Sequence, residues 1–385
     1  MAASTKLKIV GTHSLNYAEK RLFAGIPLQH YEVKKLKDLI RIPAHLYWKF
    51  KGKPHPYFTN LFWDLGINNY QLLHFFNAVN IGNQPWLTTF ERYLPRDAHH
   101  PGVAPKENLY IDFVIKRLAH SSCKKLIAIS DYAYRSQVRY LKEYGKLEEQ
   151  IMQKVVVLHP PQRAMIESIE EKNCDKNLLT CTVVGADFFR KGGKEILHVF
   201  DRLLQEKKHI QLNIISSLDY GDYASRTTKA DQQNALEIIA KYPQIKHYQA
   251  IPNSQVMEIL KASDLSLLPT YDDTYGYFVL ESQAMGCPVI STNGGALPEV
   301  NSSEAGWLID VPLYEDGRSI PRETEQRRIF SEQVENNLYK ILSEVLDTPQ
   351  LIKQKGAIAL ARIKAEHDLI EYTKKIESIY NEALS

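Results

Sequence analysis

Between Leu265 and Thr292 the chain reads as a short apolar run (Leu265-Ser266-Leu267-Leu268-Pro269), a helical stretch over 276–285, and a second apolar run (Pro288-Val289-Ile290-Ser291-Thr292). Short apolar runs bounded by turn residues suit fully buried strands. Two such strands joined through a helix make a βαβ unit, which forces the strands to be parallel and both faces of their sheet to be covered. No feature narrows the fold more, because the same alternation recurs on both sides of it.

In the first half, strands are expected at Leu7-Lys8-Ile9-Val10-Gly11, Leu72–Asn77, Trp86–Phe90, Leu126–Ser130 and Val155–Leu158. Helices are expected over 110–122 and, capped by Ser130-Asp131, up to Tyr144. A basic stretch interleaved with aromatics covers 31–53, interrupted by Pro43. His159-Pro160-Pro161 stops the pattern. It restarts with strands at Leu179–Gly185, Ile210–Ile215, His247–Ala250 and Gly306–Ile309, and with helices over 192–205, 230–241 and Ser254–Lys261, the last with a Ser cap. From 331 onward the chain reads as helix, and its last segment carries an apolar stripe from Leu369 to Tyr380. Two doubly wound α/β units follow, the break falling near 160–178.

A chain of 385 residues that is 44% apolar and 24% charged can bury two cores and has no reason to be disordered. It contains no apolar run long enough to span a bilayer, and its first residues lack a signal-peptide core. Cys123, Cys174, Cys181 and Cys287 form no Cys-x-x-Cys pair. A cytoplasmic protein with reduced thiols and no structural metal is expected. Net charge is +3, unevenly spread: residues 1–160 hold 23 Lys and Arg against 12 Asp and Glu, and residues 161–385 hold 25 against 33. The basic first half points to an anionic surface or ligand, or else to a surplus of solvated lysines. No nucleic-acid-binding motif accompanies the charge, so a nucleic acid is not the expected partner.

Ligands of open parallel sheets sit beyond the carboxyl ends of the strands. Three loops of the second half leave such ends: Gly185–Gly193, Asp272–Tyr277, and Thr292–Glu299 with Gly294-Gly295. Arg190 offers a planar fork for phosphate and Lys191 a point charge. Gly276 opens a helix whose first amides, at Tyr277 and Phe278, take phosphate oxygens. Asp273 and Glu281 can take hydroxyls. Singly, each feature has a plain structural reading: a solvated basic pair, an N-cap, a solvent-facing helix residue, a turn. Together at strand ends they suit a nucleotide sugar.

The stretch from about 180 to 310 resembles the donor domain of GT-B fold, retaining glycosyltransferases of family 4. The residues carrying the resemblance are Gly185…Arg190-Lys191-Gly192, Ala262-Ser263-Asp264-Leu265 to Pro269, Asp273-x7-Glu281-Ser-Gln-Ala-Met-Gly-Cys-Pro-Val-Ile, and Gly294-Gly295-x-x-Pro298-Glu299. The family pattern has Glu where Asp273 stands, and often an Arg where Ala186 stands.

The resemblance implies two Rossmann-like domains facing across a cleft, 1–165 for the acceptor and 166–365 for the donor, with a last helix, 366–385, crossing back to the first. It implies that Glu281 holds the donor ribose, that Arg190 and Lys191 hold the diphosphate, that Asp273 faces the transferred sugar, and that the base lies near Ile251. It implies a metal-independent hexosyltransferase with no cofactor, a nucleotide sugar (UDP-sugar favoured) as co-substrate, and a carbohydrate or lipid-linked glycan as acceptor. In the first domain, Glu91 is a candidate acceptor contact or base, or a surface Glu paired with Arg92 or Arg96. His13, at the end of the first strand, is a second candidate. The basic aromatic stretch suggests contact with an anionic membrane at its inner face, or an ordinary surface helix. Two other functions stay open: a catalytically silent glycan-binding or scaffold protein, and a nucleotide-sugar isomerase.

Overall fold

A computed structural model describes residues 7–52, 55, 58, 60–96, 108–172, 177–221 and 223–385. Cys174, His99 and His100 lie outside the described residues, as does the Lys53 end of the basic stretch. The chain divides into two compact units, residues 1–161 with 368–385, and residues 162–367.

The first unit is built on β1 (Lys8–Thr12), α1 (Tyr17–Glu19), β2 (Tyr31–Lys35), α2 (Arg41–Lys51), β3 (Leu61–Phe62), β4 (Leu72–Phe76), β5 (Val79–Asn80), β6 (Trp86–Phe90), α3 (Leu109–Ala119), β7 (Cys123–Ala128), α4 (Asp131–Leu141), α5 (Lys146–Met152) and β8 (Val155–Val157). Its main sheet runs β2-β1-β4-β6-β7-β8, every pair parallel. The short strands β3 and β5 form a separate pair.

The second unit comprises β9 (Leu179–Val184), α6 (Gly193–Gln205), β10 (Ile210–Ile215), α7 (Lys229–Lys241), β11 (Ile245–Tyr248), α8 (Asn253–Lys261), β12 (Leu265–Leu268), α9 (Tyr277–Ala284), β13 (Val289–Thr292), α10 (Leu297–Val300), β14 (Trp307–Ile309), α11 (Thr324–Asp347) and α12 (Gln350–Glu366). Its sheet runs β11-β10-β9-β12-β13-β14, again wholly parallel. In both sheets the strand order reverses once, between β1 and β4 in the first and between β9 and β12 in the second. Those reversals are where an open sheet leaves a crevice at its carboxyl edge.

The last helix, α13 (Leu369–Leu384), belongs to the first unit. Its Tyr372, Ile376, Tyr380 and Ala383 pack with Val10, Leu72, Leu87 and Ile127. Buried Glu377 accepts from the backbone N–H groups of Gln29 (2.6 Å) and His30 (2.8 Å), so its carboxylate is not stranded. His74 is fully buried, hydrogen-bonded to Tyr380 (2.8 Å) and Thr89 (2.8 Å) and stacked on Phe23. It is a core histidine, and burial pushes its pKa well below the usual value.

Several boundaries differ from the sequence reading. Pro43 does not interrupt structure: it sits in the first turn of α2, where a missing N–H costs nothing. The cap of α8 is Pro252 rather than Ser254. Helix α11 begins at Thr324, before 331, because Glu323 and Gln326 close a capping box around its polar first turn.

Candidate functional site

Helix α9 opens with Gly276 in a left-handed conformation (φ 91°) and has no side-chain cap. Its first-turn amides therefore keep their donor capacity, with the positive end of the helix dipole behind them. Within α9, Phe278, Val279, Leu280, Ser282, Gln283 and Ala284 are buried. Tyr277 and Glu281 alone reach partial exposure. Four residues apart, they share one face, so the helix presents a single polar stripe.

The loop that feeds α9 is tied to the loop after β9. The side chain of Lys191 forms a salt bridge with Asp273, and both are largely buried, at 12% and 15% exposure. The other oxygen of Asp273 accepts from the N–H of Gly276 (2.9 Å) and of Tyr275 (3.3 Å). Burial works to raise the Asp273 pKa, but the charge and hydrogen bond of Lys191, with the charge of Arg190, hold it below the ordinary value. Asp273 is an ionised clamp. Arg190 is held by Asp187 through Nη2 and Nε (2.8 and 3.0 Å) and donates to the carbonyl of Asp272 (2.7 Å). Its own carbonyl accepts from Tyr271 N (2.9 Å) and Thr270 Oγ1 (3.0 Å). Gly192 allows this approach: at φ 81° a Cβ there would lie 2.2 Å from the carbonyl oxygen of Pro269. Gly185 ends β9 directly beside Lys191.

Thus Gly185, Arg190, Lys191, Asp273 and Gly276 meet at the reversal point between β9 and β12, with Tyr277, Phe278 and Glu281 on the helix that leaves it. Ile251 follows β11, the outermost strand, two positions from β9 in the sheet order. Asp272 turns its carboxylate to the hydroxyl of Tyr223 (2.6 Å). Among the described residues, neither Asp272 nor Asp273 joins a third His, Cys, Asp or Glu close enough to share an ion. Asp187 and Tyr223 were not singled out by the sequence reading. Asp187 carried a signal, an acid three residues before Arg190. Tyr223 carried none. A cavity of about 790 Å³ opens beside Leu179, His209 and Asp264 at the opposite, amino end of the strands.

In the first unit, His13 follows β1 and Glu91 follows β6, flanking the end of β4. Glu91 pairs with Arg96 and accepts from Asn77 Nδ2 (3.3 Å). It is mostly buried rather than a surface group. His13 packs against Phe75, and its Nδ1 is buried without a hydrogen-bond partner. Burial, aided by the charges of Arg41 and Lys35, lowers its pKa to about 4, so the ring is neutral at pH 7. A pocket of about 500 Å³ opens there, lined by His13, Asp38, Arg41, His45, Trp48 and Phe58. Helix α2 beyond it buries no side chain. It exposes Ile42 (60%), Trp48 (51%) and Phe50 (83%) among Arg41, Lys49 and Lys51.

Residues 165–336 match the family described as "Glycosyl transferases group 1". The chain is 25% identical over 121 residues to the D-inositol 3-phosphate glycosyltransferase of Corynebacterium efficiens, a match covering 31% of this chain and 28% of that protein. It therefore spans only about a quarter of the length of that curated relative. Among solved structures, the fold is similar to WaaG, a glycosyltransferase involved in lipopolysaccharide biosynthesis (TM-score 0.60, 14% identity, 96% of this chain and 99% of that one). It is also similar to HepE of Anabaena in complex with UDP-glucose (TM-score 0.57, 11% identity, 98% and 100%). The match to the glycosyl transferases group 1 family thus falls within the second unit, and the Rossmann-like fold of both units is similar to that of GT-B glycosyltransferases.

Proposed function

We propose that the chain is a retaining hexosyltransferase that moves a sugar from a nucleotide diphosphate donor to a glycan or lipid-linked glycan. The observation that carries this is the convergence of Arg190, Lys191 and the uncapped amino end of α9 on the reversal point of one sheet. Departure of a nucleoside diphosphate builds negative charge on its phosphates. The guanidinium, the ammonium and the amides of Tyr277 and Phe278 are fixed in advance around the place where that charge develops. Lys191 has three donors, enough for Asp273 and a phosphate oxygen together. Glu281, one turn along the exposed stripe of α9, takes the ribose hydroxyls. Asp273 faces the transferred sugar. A UDP-sugar is the favoured donor, in keeping with HepE, which was solved with UDP-glucose.

With the carboxylates of Asp272 and Asp273 already bonded to Tyr223 and Lys191, the protein's own cations carry the leaving-group charge, and transfer needs no metal. The acceptor is assigned to the first unit. His13 offers it a neutral imidazole, and Glu91 a carboxylate. The apolar and basic side chains of α2 suit an acceptor presented on an anionic lipid surface at the inner face of a membrane. No helix among the described residues is long and apolar enough to cross one.

The test is a panel of nucleotide sugars screened by thermal shift, followed by donor hydrolysis with EDTA present. One nucleotide sugar should raise the melting point by mass action, and its hydrolysis should survive the chelator. A panel without a stabilising member, or turnover lost to EDTA and restored by manganese, would overturn the reading.

A further inference from the structure

On a helix-covered face of the second unit lies a separate pocket of about 390 Å³, within the usual size of a small-molecule site. Its lining includes Glu195, Arg226, Tyr271, Arg327 and Ser331. Two features of it are unresolved by the protein itself. Arg226 and Arg327 both line it. Burial, aided by the charge of Arg226, lowers the pKa of Arg327. The Nη1 of Arg327 reaches only the carbonyls of Pro321 and Glu323 (3.4 Å each), and no carboxylate among the described residues forms an ion pair with either guanidinium. The acids nearby are engaged elsewhere: Asp231 with Lys194 (2.9 Å), and Glu332 with Arg328. Arg226 is held in place by a turn in which both it (φ 48°) and Ala224 (φ 54°) adopt left-handed backbone, a conformation that costs a non-glycine residue energy.

The second feature is Glu195, 1% exposed. Its Oε1 accepts from Tyr271 Oη (2.6 Å) and Ser331 Oγ (2.7 Å), while Oε2 is buried with no partner. A stranded buried carboxylate oxygen is costly unless something donates to it or it carries a proton. Burial does raise the Glu195 pKa.

We propose that this pocket binds a phosphorylated, hydroxyl-bearing small molecule, its phosphate between Arg226 and Arg327 and a hydroxyl on Oε2 of Glu195. A dianionic phosphate removes the repulsion of the two guanidinium groups and gives each a charge-assisted bond. A neighbouring hydroxyl satisfies the stranded oxygen. Tyr271 lines the pocket and its N–H is bonded to the carbonyl of Arg190, so an occupant touches a residue whose backbone ties the two donor loops together. The site does not depend on the transferase reading.

The experiment is calorimetric titration with inorganic phosphate and with a hexose 6-phosphate, using the full chain carrying Lys191→Ala to weaken phosphate capture at the donor loops. Saturable binding of both is expected, tighter for the hexose phosphate. Arg226→Ala, an exposed position, should weaken both probes by at least about tenfold. Glu195→Gln should weaken the hexose phosphate and spare inorganic phosphate. Absence of saturable binding, affinities unchanged by Arg226→Ala, or binding seen only when Lys191 is present would each overturn the proposal.

Discussion

The two sheets follow nearly the same plan, but the loops at their reversal points are built in opposite ways. In the second unit, the loops after β9 and β12 are laced together by Lys191–Asp273, by Arg190 on the carbonyl of Asp272, and by Tyr271 and Thr270 on the carbonyl of Arg190. In the first, His13 stands neutral after β1 with a buried, unpartnered nitrogen beside an open pocket, and Glu91 is occupied by Arg96 and Asn77. One end is a rigid cationic cradle. The other is a less charged recess bordered by exposed aromatics. A shared topology therefore fixes where a ligand sits, while the chemistry on the loops decides which ligand it is.

The comparison breaks most completely at Gly192. A Gly192→Ala change puts a Cβ against Pro269 in a left-handed backbone, and a loss of about 3 kcal/mol or more is expected. Chemical denaturation with segment-resolved hydrogen exchange should localise it to residues 162–367 and leave the first unit protected.

Next in size is Lys191→Ala, which should lower kcat by about 10²–10³-fold as leaving-group stabilisation is lost. It also strips Asp273 of its counter-charge, so stability should fall too. Lys191→Arg should recover the stability more than the turnover. Equal recovery of both would mean that the pair is only structural.

Between pH 7 and pH 5 the buried histidines of the first unit and the raised groups of the second act with opposite sign. Asp38, raised by burial, partly offsets the loss in the first unit, and Asp273, held low, loses its contribution only toward pH 3.8 and below. His13 and His74 are held neutral in the first unit, so below pH 6.5 the unfolded chain binds more protons and stability falls. For His13 the loss runs from pH 6.5 to about 4 and is of the order of 3 kcal/mol. In the second unit Glu195 is raised by burial, and His198 is raised by its bond to Glu335. Both favour the protonated folded state, so they add stability as pH falls through their raised values toward 4.5 and 6.5. Hydrogen exchange at pH 7 and pH 5 should show the first unit loosening before the second; the reverse order would contradict the assignments.

The smallest expected effect on the fold itself concerns the surface. Replacing Trp48 and Phe50 by Ser should weaken binding to vesicles containing anionic lipid by a few kcal/mol in total without changing the melting point. Unchanged sedimentation with vesicles would remove the membrane from the account.

Much of this could be read from the chain because it is local. The βαβ run at Leu265–Thr292, the glycine that opens α9 and the apolar stripe at Leu369–Tyr380 all follow from spacing within one or two elements. The strand order could not be read, since nothing in the run Leu179–Gly185 says that β9 lies between β10 and β12. Nor could the pairing of Lys191 with Asp273, 82 residues apart, which is set by that order. Helix α5 escaped notice because it is short and carries Glu148 and Glu149 in its first turn. Helix α2 is the ordinary surface helix that the basic aromatic stretch allows, but its start is hidden in the sequence because Pro43 reads as a break rather than as a first-turn residue. The pocket around Arg226 and Glu195 gathers residues from four separate segments and left no trace in any one of them.

The central claim is that the loops after β9 and β12, with α9, grip a nucleoside diphosphate. Calorimetric titration of UDP into the wild-type chain and into Glu281→Ala tests it most directly. Saturable one-site binding is expected, weakened about 10- to 100-fold by Glu281→Ala through loss of the ribose contact, with the fold unchanged. Binding that is identical in the two proteins, or absent from both, would contradict it.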